Sequence, residues 1–264
     1  MSRSVAFAIR GALLTADPLR KAMAARAVAR EWRQGRLDFQ FDVAMPDVPA
    51  RPDKPEWMAP NRMPKRGRGG SERARIAFWH ALAHIEFVAI DLALDMAGRF
   101  GRERGRDFVT DFLSVAADEA MHFALLSRKL GALGSFYGAL PVHGGLWEAA
   151  EKTAHDVSAR LAIVPMVLEA RGLDVTPPML ERVRSQGDEH GARILERILD
   201  DEIRHVRIGT RHFVAVCAES RKSPEFHWKE LVKCHFRNGL KPPFNDSARL
   251  AAGLSREFYA GIAT

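Results

Sequence analysis

Apolar residues recur at three- and four-residue steps along most of the chain, the spacing of helices that bury one face. The clearest run follows Ser71 and passes through Ile76, Trp79, Ala83, Phe87, Ile90 and Leu94. Ser71 with Glu72 supplies a start signal, and Gly98, Gly101 and Gly105 punctuate the end. A second helix is predicted from near Asp107 through Phe108, Phe112, Val115 and Phe123 to Leu130, stopping at Gly131 or Gly134. The stretch 133–145, with four glycines and Pro141, reads as a connection. A third helix is expected from near Leu146 to at least Ala170, kinked at Pro165 because proline cannot donate to the residue four back. Gly172 and the Pro177-Pro178 pair are expected to interrupt it before a shorter helical piece, 178–186. A fourth helix runs from about Asp188 to Cys217, followed by a helix over 224–236, an extended Lys241–Phe244 and a last helix over 246–262.

Toward the N-terminus, Val5 to Leu14 is apolar but interrupted by Arg10, with no cleavage region behind it. Thr15-Ala16-Asp17-Pro18 reads as a helix stop followed by a new start, Asp17 capping and Pro18 opening a helix over 18–34. Neither an export signal nor a membrane span is expected. Residues 43–70 break the pattern with six closely spaced prolines and end in Lys65-Arg66-Gly67-Arg68-Gly69-Gly70. That segment is expected to wrap the surface in extended form, with Trp57 and Met58 packing. Arg66 and Arg68 are candidates for an anion contact, against the plainer reading of a solvated basic loop. With almost no alternating pattern, the fold class is all-α. The expected organisation is an N-terminal helical and Pro-rich part over 1–70, a bundle over 71–217 and a C-terminal helical extension over 218–264.

Composition places the chain among soluble globular proteins, since 47% hydrophobic and 28% charged residues suit neither a disordered nor a membrane protein. A net charge of +7 is compatible with an anionic partner, nucleic acid included, but it is spread along the chain and singles none out. Cys217 and Cys234 form no Cys-x-x-Cys pair, so a disulfide framework, a rubredoxin-type iron site and a zinc ribbon lack support. A reducing, cytoplasmic compartment is the expectation.

Two motifs carry chemistry: Asp118-Glu119-x-x-His122 and Asp201-Glu202-x-x-His205. On a helix, Glu and His three apart share a face and can hold one ion. A single Glu-x-x-His is expected by chance, but here Glu86 and Glu169 each stand 33 residues before the Glu of their pair. In an antiparallel hairpin, residues equidistant from the turn lie at one height. The midpoint of Glu86 and Glu119 falls among Gly98–Gly105, and that of Glu169 and Glu202 falls just before Gly187-Asp188. Each half is thus a hairpin offering one Glu from its first helix and Glu plus His from its second. Four carboxylates and two imidazoles facing one interior need cations, because burial and mutual repulsion penalise unpaired carboxylates. Carboxylate with imidazole suits iron or manganese better than calcium or a thiolate-seeking metal.

These residues resemble the ferritin-like di-iron carboxylate superfamily, over roughly 71–217. More narrowly, Arg51-Pro52-Asp53-Lys54-Pro55, His84-Ile85-Glu86-Phe87, the stretch Trp147 to His155, Glu169-Ala170-Arg171-Gly172-Leu173-Asp174 and Pro243-Phe244-Asn245 look like an uncharacterised bacterial ferritin-like family of unknown function. The resemblance implies a four-helix bundle with a long crossover between its second and third helices. It also implies two iron ions, an iron–manganese pair or manganese, held by Glu86, Glu119, His122, Glu169, Glu202 and His205, with Glu119 and Glu202 bridging. The tRNA-hydroxylating di-iron enzymes are similar in layout. Departures matter too. Leu126 stands where ribonucleotide reductase small subunits carry a radical tyrosine, and the Cys-x-x-Cys domain usual in rubrerythrins is absent.

Asp118 and Asp201 precede the ligand glutamates and either fix an imidazole from behind or face solvent. His80 and His84 read as helix contacts, and His155, 14 residues before Glu169, stands too far along a straight helix to ligate. The expected function is an oxidoreductase that activates O₂ or peroxide on a small substrate, drawing on an electron donor that the sequence does not identify. An iron-binding or ferroxidase-type protein, a tRNA-hydroxylase-like enzyme and a metal-free helical interaction protein are the alternatives.

Overall fold

A computed structural model describes residues 3–64, 71–236 and 239–262. The basic stretch with Arg66 and Arg68 lies outside them. The chain divides into two units, one ending at Trp147 and the other beginning at Glu148. Among the described residues, strand is confined to a parallel pair of two residues each, β1 (Arg3–Ser4) and β2 (Leu37–Asp38). The protein is therefore mostly helical, as its periodicity predicts.

The first unit is built on a long hairpin. Helix α1 (Val5–Leu13) and helix α2 (Pro18–Arg33) precede it, joined by the turn where Asp17 accepts from the Arg20 N–H at 2.8 Å and Pro18 opens α2. Helix α3 (Glu72–Arg104), capped by the Ser71 hydroxyl, pairs with helix α4 (Arg106–Ala132), while α1 packs on α3 and α2 on α4. Gly98 and Gly101 do not end α3, which runs on to Gly105, where φ is +90°. Their role is close approach: a side chain at Gly98 would overlap Met45, and a Cβ at Gly101 would stand 2.6 Å from Val109 and 2.8 Å from Phe41. Helix α3 has the length and composition of a membrane span, but 67% of that window is buried inside the protein, as in a core helix.

The described part of the proline-rich segment, up to Pro64, is largely irregular, with a 3₁₀ turn at Pro60–Arg62, and Trp57 pairs through its backbone with Val142 of the connection after α4. It is anchored by charge. Lys21 donates to Asp91 at 2.6 Å and to the Ala50 carbonyl at 3.0 Å, and Arg51 reaches the other oxygen of Asp91. Burial pulls the Lys21 ammonium down and pushes the Asp91 carboxyl up, and the partners' charges oppose both shifts. Arg51 also lies over the rings of Trp57 and Trp147, at 5.2 and 5.7 Å.

The expected third helix is broken. Helix α5 (Gly145–Lys152) stops, and helix α6 (Val157–Ile163) starts afresh with Asp156 accepting from the Ser158 N–H at 2.7 Å. Pro165 produces a π-helical turn, Val164–Glu169, rather than a simple kink; the Ala170 N–H reaches the Pro165 carbonyl five residues back. Helix α7 (Ala170–Ser185) then runs without interruption through Gly172 and Pro177-Pro178. The Leu173 carbonyl, whose helical donor proline removes, accepts instead from the Asn245 side chain at 3.1 Å. Helix α8 (Glu189–Glu219), capped by Asp188, pairs with α7, and Gly209 admits Pro165, whose ring a Cβ there would overlap. Helix α9 (Pro224–His235) packs on α6, and the Trp228 indole donates to the Ala162 carbonyl at 3.2 Å. The expected last helix is two short ones, α10 (Asp246–Ala251) and α11 (Arg256–Tyr259), separated at Gly253, whose φ is +77°. Arg249 binds Asp174 through two nitrogens, at 2.8 and 2.6 Å, and lies 4.8 Å from the ring centres of both Phe244 and Tyr259.

Candidate metal centre

Glu86 comes from the middle of α3, and Glu119 and His122 come from α4, one helical turn apart. The α3–α4 turn falls at Gly105, a few residues beyond the midpoint of Glu86 and Glu119, and the two helices pack so that these side chains meet. All three are buried, at 5%, 1% and 0% exposure. Their ligating atoms lie within 4.8 Å of one another. His122 turns its Nδ1 toward both carboxylates, 3.2 Å from Glu86 Oε2 and 3.4 Å from Glu119 Oε2. Phe87 and Phe123, the next residues along each helix, are buried with ring centroids 5.5 Å apart and planes tilted by 50°.

Burial, and then the charge of Glu119, push the Glu86 carboxyl well above the usual carboxylate range; the hydrogen bond from His122 works in the other direction. Two buried carboxylates and an imidazole at this spacing could hold a metal ion. The donors are oxygen and nitrogen, without thiolate.

In the second unit the pattern repeats on α8. Glu202 and His205 are buried, and His205 Nδ1 stands 3.4 Å from Glu202 Oε1, matching the arrangement in the first pair. Glu169, half-buried, is the final residue of the π-helical turn. Gly172, one turn further along α7, faces Glu202 closely enough that a Cβ would meet its Cγ at 3.9 Å. The structure thus gathers Glu86, Glu119 and His122 in one unit and Glu202 with His205 in the other.

The neighbouring residues sort clearly. Asp201 accepts from Arg197 Nε, one turn back on α8, at 2.6 Å, and Asp118 is half-buried on α4. His155 is exposed. His80 and His84 are helix-to-loop contacts: His80 Nε2 accepts from the Gly138 N–H, and His84 bridges the Tyr137 hydroxyl and the His143 carbonyl. Sequence reasoning did not single out Lys21, Asp91 or Arg249. Their signal was faint, since a buried charge looks like any other charge until its partner is known, although Arg51, Asp174 and Asn245 stood in the stretches that carried the resemblance.

No solved structure matches the chain significantly. An uncharacterised protein of Haemophilus influenzae (strain ATCC 51907 / DSM 11121 / KW20 / Rd) is 41% identical over 225 residues, covering 83% of this chain and 78% of the relative. A family model described as "Protein of unknown function (DUF455)" matches residues 14–260. From Leu14 to Ala260, nearly its whole length, the chain belongs to the DUF455 family.

Proposed function

We propose that the protein is a dinuclear non-haem metal protein, a di-iron or iron–manganese oxidoreductase of the cytoplasm that activates O₂ or peroxide on a small substrate. In this reading the α3–α4 and α7–α8 hairpins are the halves of a ferritin-like four-helix bundle. Glu86, Glu119 and His122 hold one side of the metal pair and Glu169, Glu202 and His205 the other. The observation that carries the proposal is the buried cluster of Glu86, Glu119 and His122, whose donor set calls for a cation. The Glu–His pair on α8 repeats two of its three residues.

A bound iron pair with open coordination positions supplies the chemistry of oxygen activation. The protein's part is to hold and to exclude. The Glu-x-x-His spacing fixes carboxylate and imidazole on one helix face, and the unexposed Phe87 and Phe123 keep water from the carboxylates. Glu119 and Glu202, with two carboxylate oxygens each, would help to hold the ions.

Metal analysis of protein purified from iron-replete cells tests the reading, with about two ions per chain expected. Glu119→Ala and His205→Ala should each lose most of the metal, and His155→Ala should keep it. Content below about 0.2 per chain in the parent protein, or equal loss in all three variants, would overturn the assignment.

A further inference from the structure

A second site lies in the first unit, on the side of α3 turned away from Glu86. A cavity of about 380 Å³ opens between α3, the segment around Met63 and the connection that leads into α5. That volume falls within the usual range of small-molecule sites. Its α3 wall is a strip of residues one turn apart: Ala77 and Ala81, small enough to leave room, then Ile85, which is 45% exposed. Leu140 faces it from the connection and Leu146 from the first turn of α5.

The polar side chains of the cavity are Arg73, His80, His84 and His143. His84 is satisfied at both nitrogens, donating from Nε2 to the His143 carbonyl at 3.1 Å and accepting at Nδ1 from the Tyr137 hydroxyl at 3.0 Å. His80 is 2% exposed, and its Nε2 accepts from the Gly138 and Leu140 N–H groups at 3.0 and 3.4 Å. Its proton therefore sits on Nδ1, and the described structure gives that N–H no acceptor. His143 Nδ1 accepts from the Gly145 N–H at 3.3 Å, which leaves a second N–H at Nε2. Arg73 adds an exposed guanidinium at the first turn of α3, where the helix dipole also favours negative charge. The polar side chains thus donate, the remaining wall is apolar, and the one charge is positive.

We propose that this cavity binds a small apolar monocarboxylate, its body along Ala77, Ala81 and Ile85 and its carboxylate taken by Arg73 with hydrogen bonds from His80 Nδ1 and His143 Nε2. A carboxylate accepts only, so it matches a donor-only wall, and a single negative charge matches the single guanidinium. The proposal does not depend on the metal reading.

Calorimetric titration with octanoate, and with 1-octanol as the uncharged control, tests it on the full-length protein. Saturable binding of about one octanoate per chain is expected, at least about tenfold tighter than the alcohol. Arg73→Gln should bring octanoate to within about threefold of 1-octanol and leave the alcohol unchanged. Ala81→Trp should abolish both. Should that variant fail to fold by circular dichroism, Ala77→Leu replaces it, with at least about tenfold weakening expected. In ¹⁵N-histidine spectra, octanoate should shift the His80 Nδ1–H resonance. No saturable octanoate binding at millimolar concentration, equal affinity for acid and alcohol, or binding that the folded cavity-filling variant leaves intact would each overturn the proposal.

Discussion

Gly11 and Gly209 both sit inside helices, yet their surroundings differ. Nothing lies within 4 Å of where a Cβ would stand at Gly11, whereas at Gly209 the ring of Pro165 occupies that space. Gly11→Ala should therefore stabilise the protein by about 0.5–1 kcal/mol through helix propensity and a stiffer unfolded chain. Gly209→Ala should cost about 1–3 kcal/mol, because a proline ring cannot swing aside as a flexible side chain does. Urea titrations of the two variants check this, and equal effects would show that α8 does not need the opening. The same contrast explains what was hard to read in the sequence. Gly98 and Gly101 resemble a helix end because glycine often is one, and two of the residues that need their space, Met45 and Phe41, come from a segment 53 and 60 residues earlier.

Helices were legible where local signals agreed. Asp17-Pro18, Ser71 and Asp188 begin helices as their cap chemistry predicts, and the two Glu-x-x-His motifs fall on α4 and α8 with the expected burial. Legibility failed where the compensation is distant: Pro177 is tolerated inside α7 because Asn245, far along the chain, satisfies the carbonyl it deprives. Element docking in the first unit depends likewise on a buried ion cluster. Removing one partner of a buried pair is costly, so Lys21→Met should destabilise by about 3–5 kcal/mol. Asp91→Asn in that background should cost less than the sum of the single losses, with a coupling of about 1–3 kcal/mol in a denaturant double-mutant cycle. Additivity within about 0.5 kcal/mol would mean that α2 is held to α3 by packing alone.

For the whole chain, a metal bound by the folded state and not by the unfolded one stabilises through mass action, by about 2.7 kcal/mol at a hundredfold excess over Kd. For a protein of this size that corresponds to a rise in Tm of roughly 5–10 °C. Chelation should lower the Tm by that amount and added Fe²⁺ or Mn²⁺ should restore it, while Glu119→Ala should melt alike with and without chelator. Scanning calorimetry decides; no chelator effect on the parent protein would count against metal binding. The π-helical turn before Glu169 has a consequence of its own. It houses one residue more than an α-helical turn over the same stretch. Deleting Val167 would let the segment wind as regular α-helix over the same stretch and leave α7 nearly in phase with α6. The count of 33 residues from glutamate to glutamate would survive and the carboxylate would keep its compass point, so the turn absorbs the surplus residue without re-aiming the second hairpin.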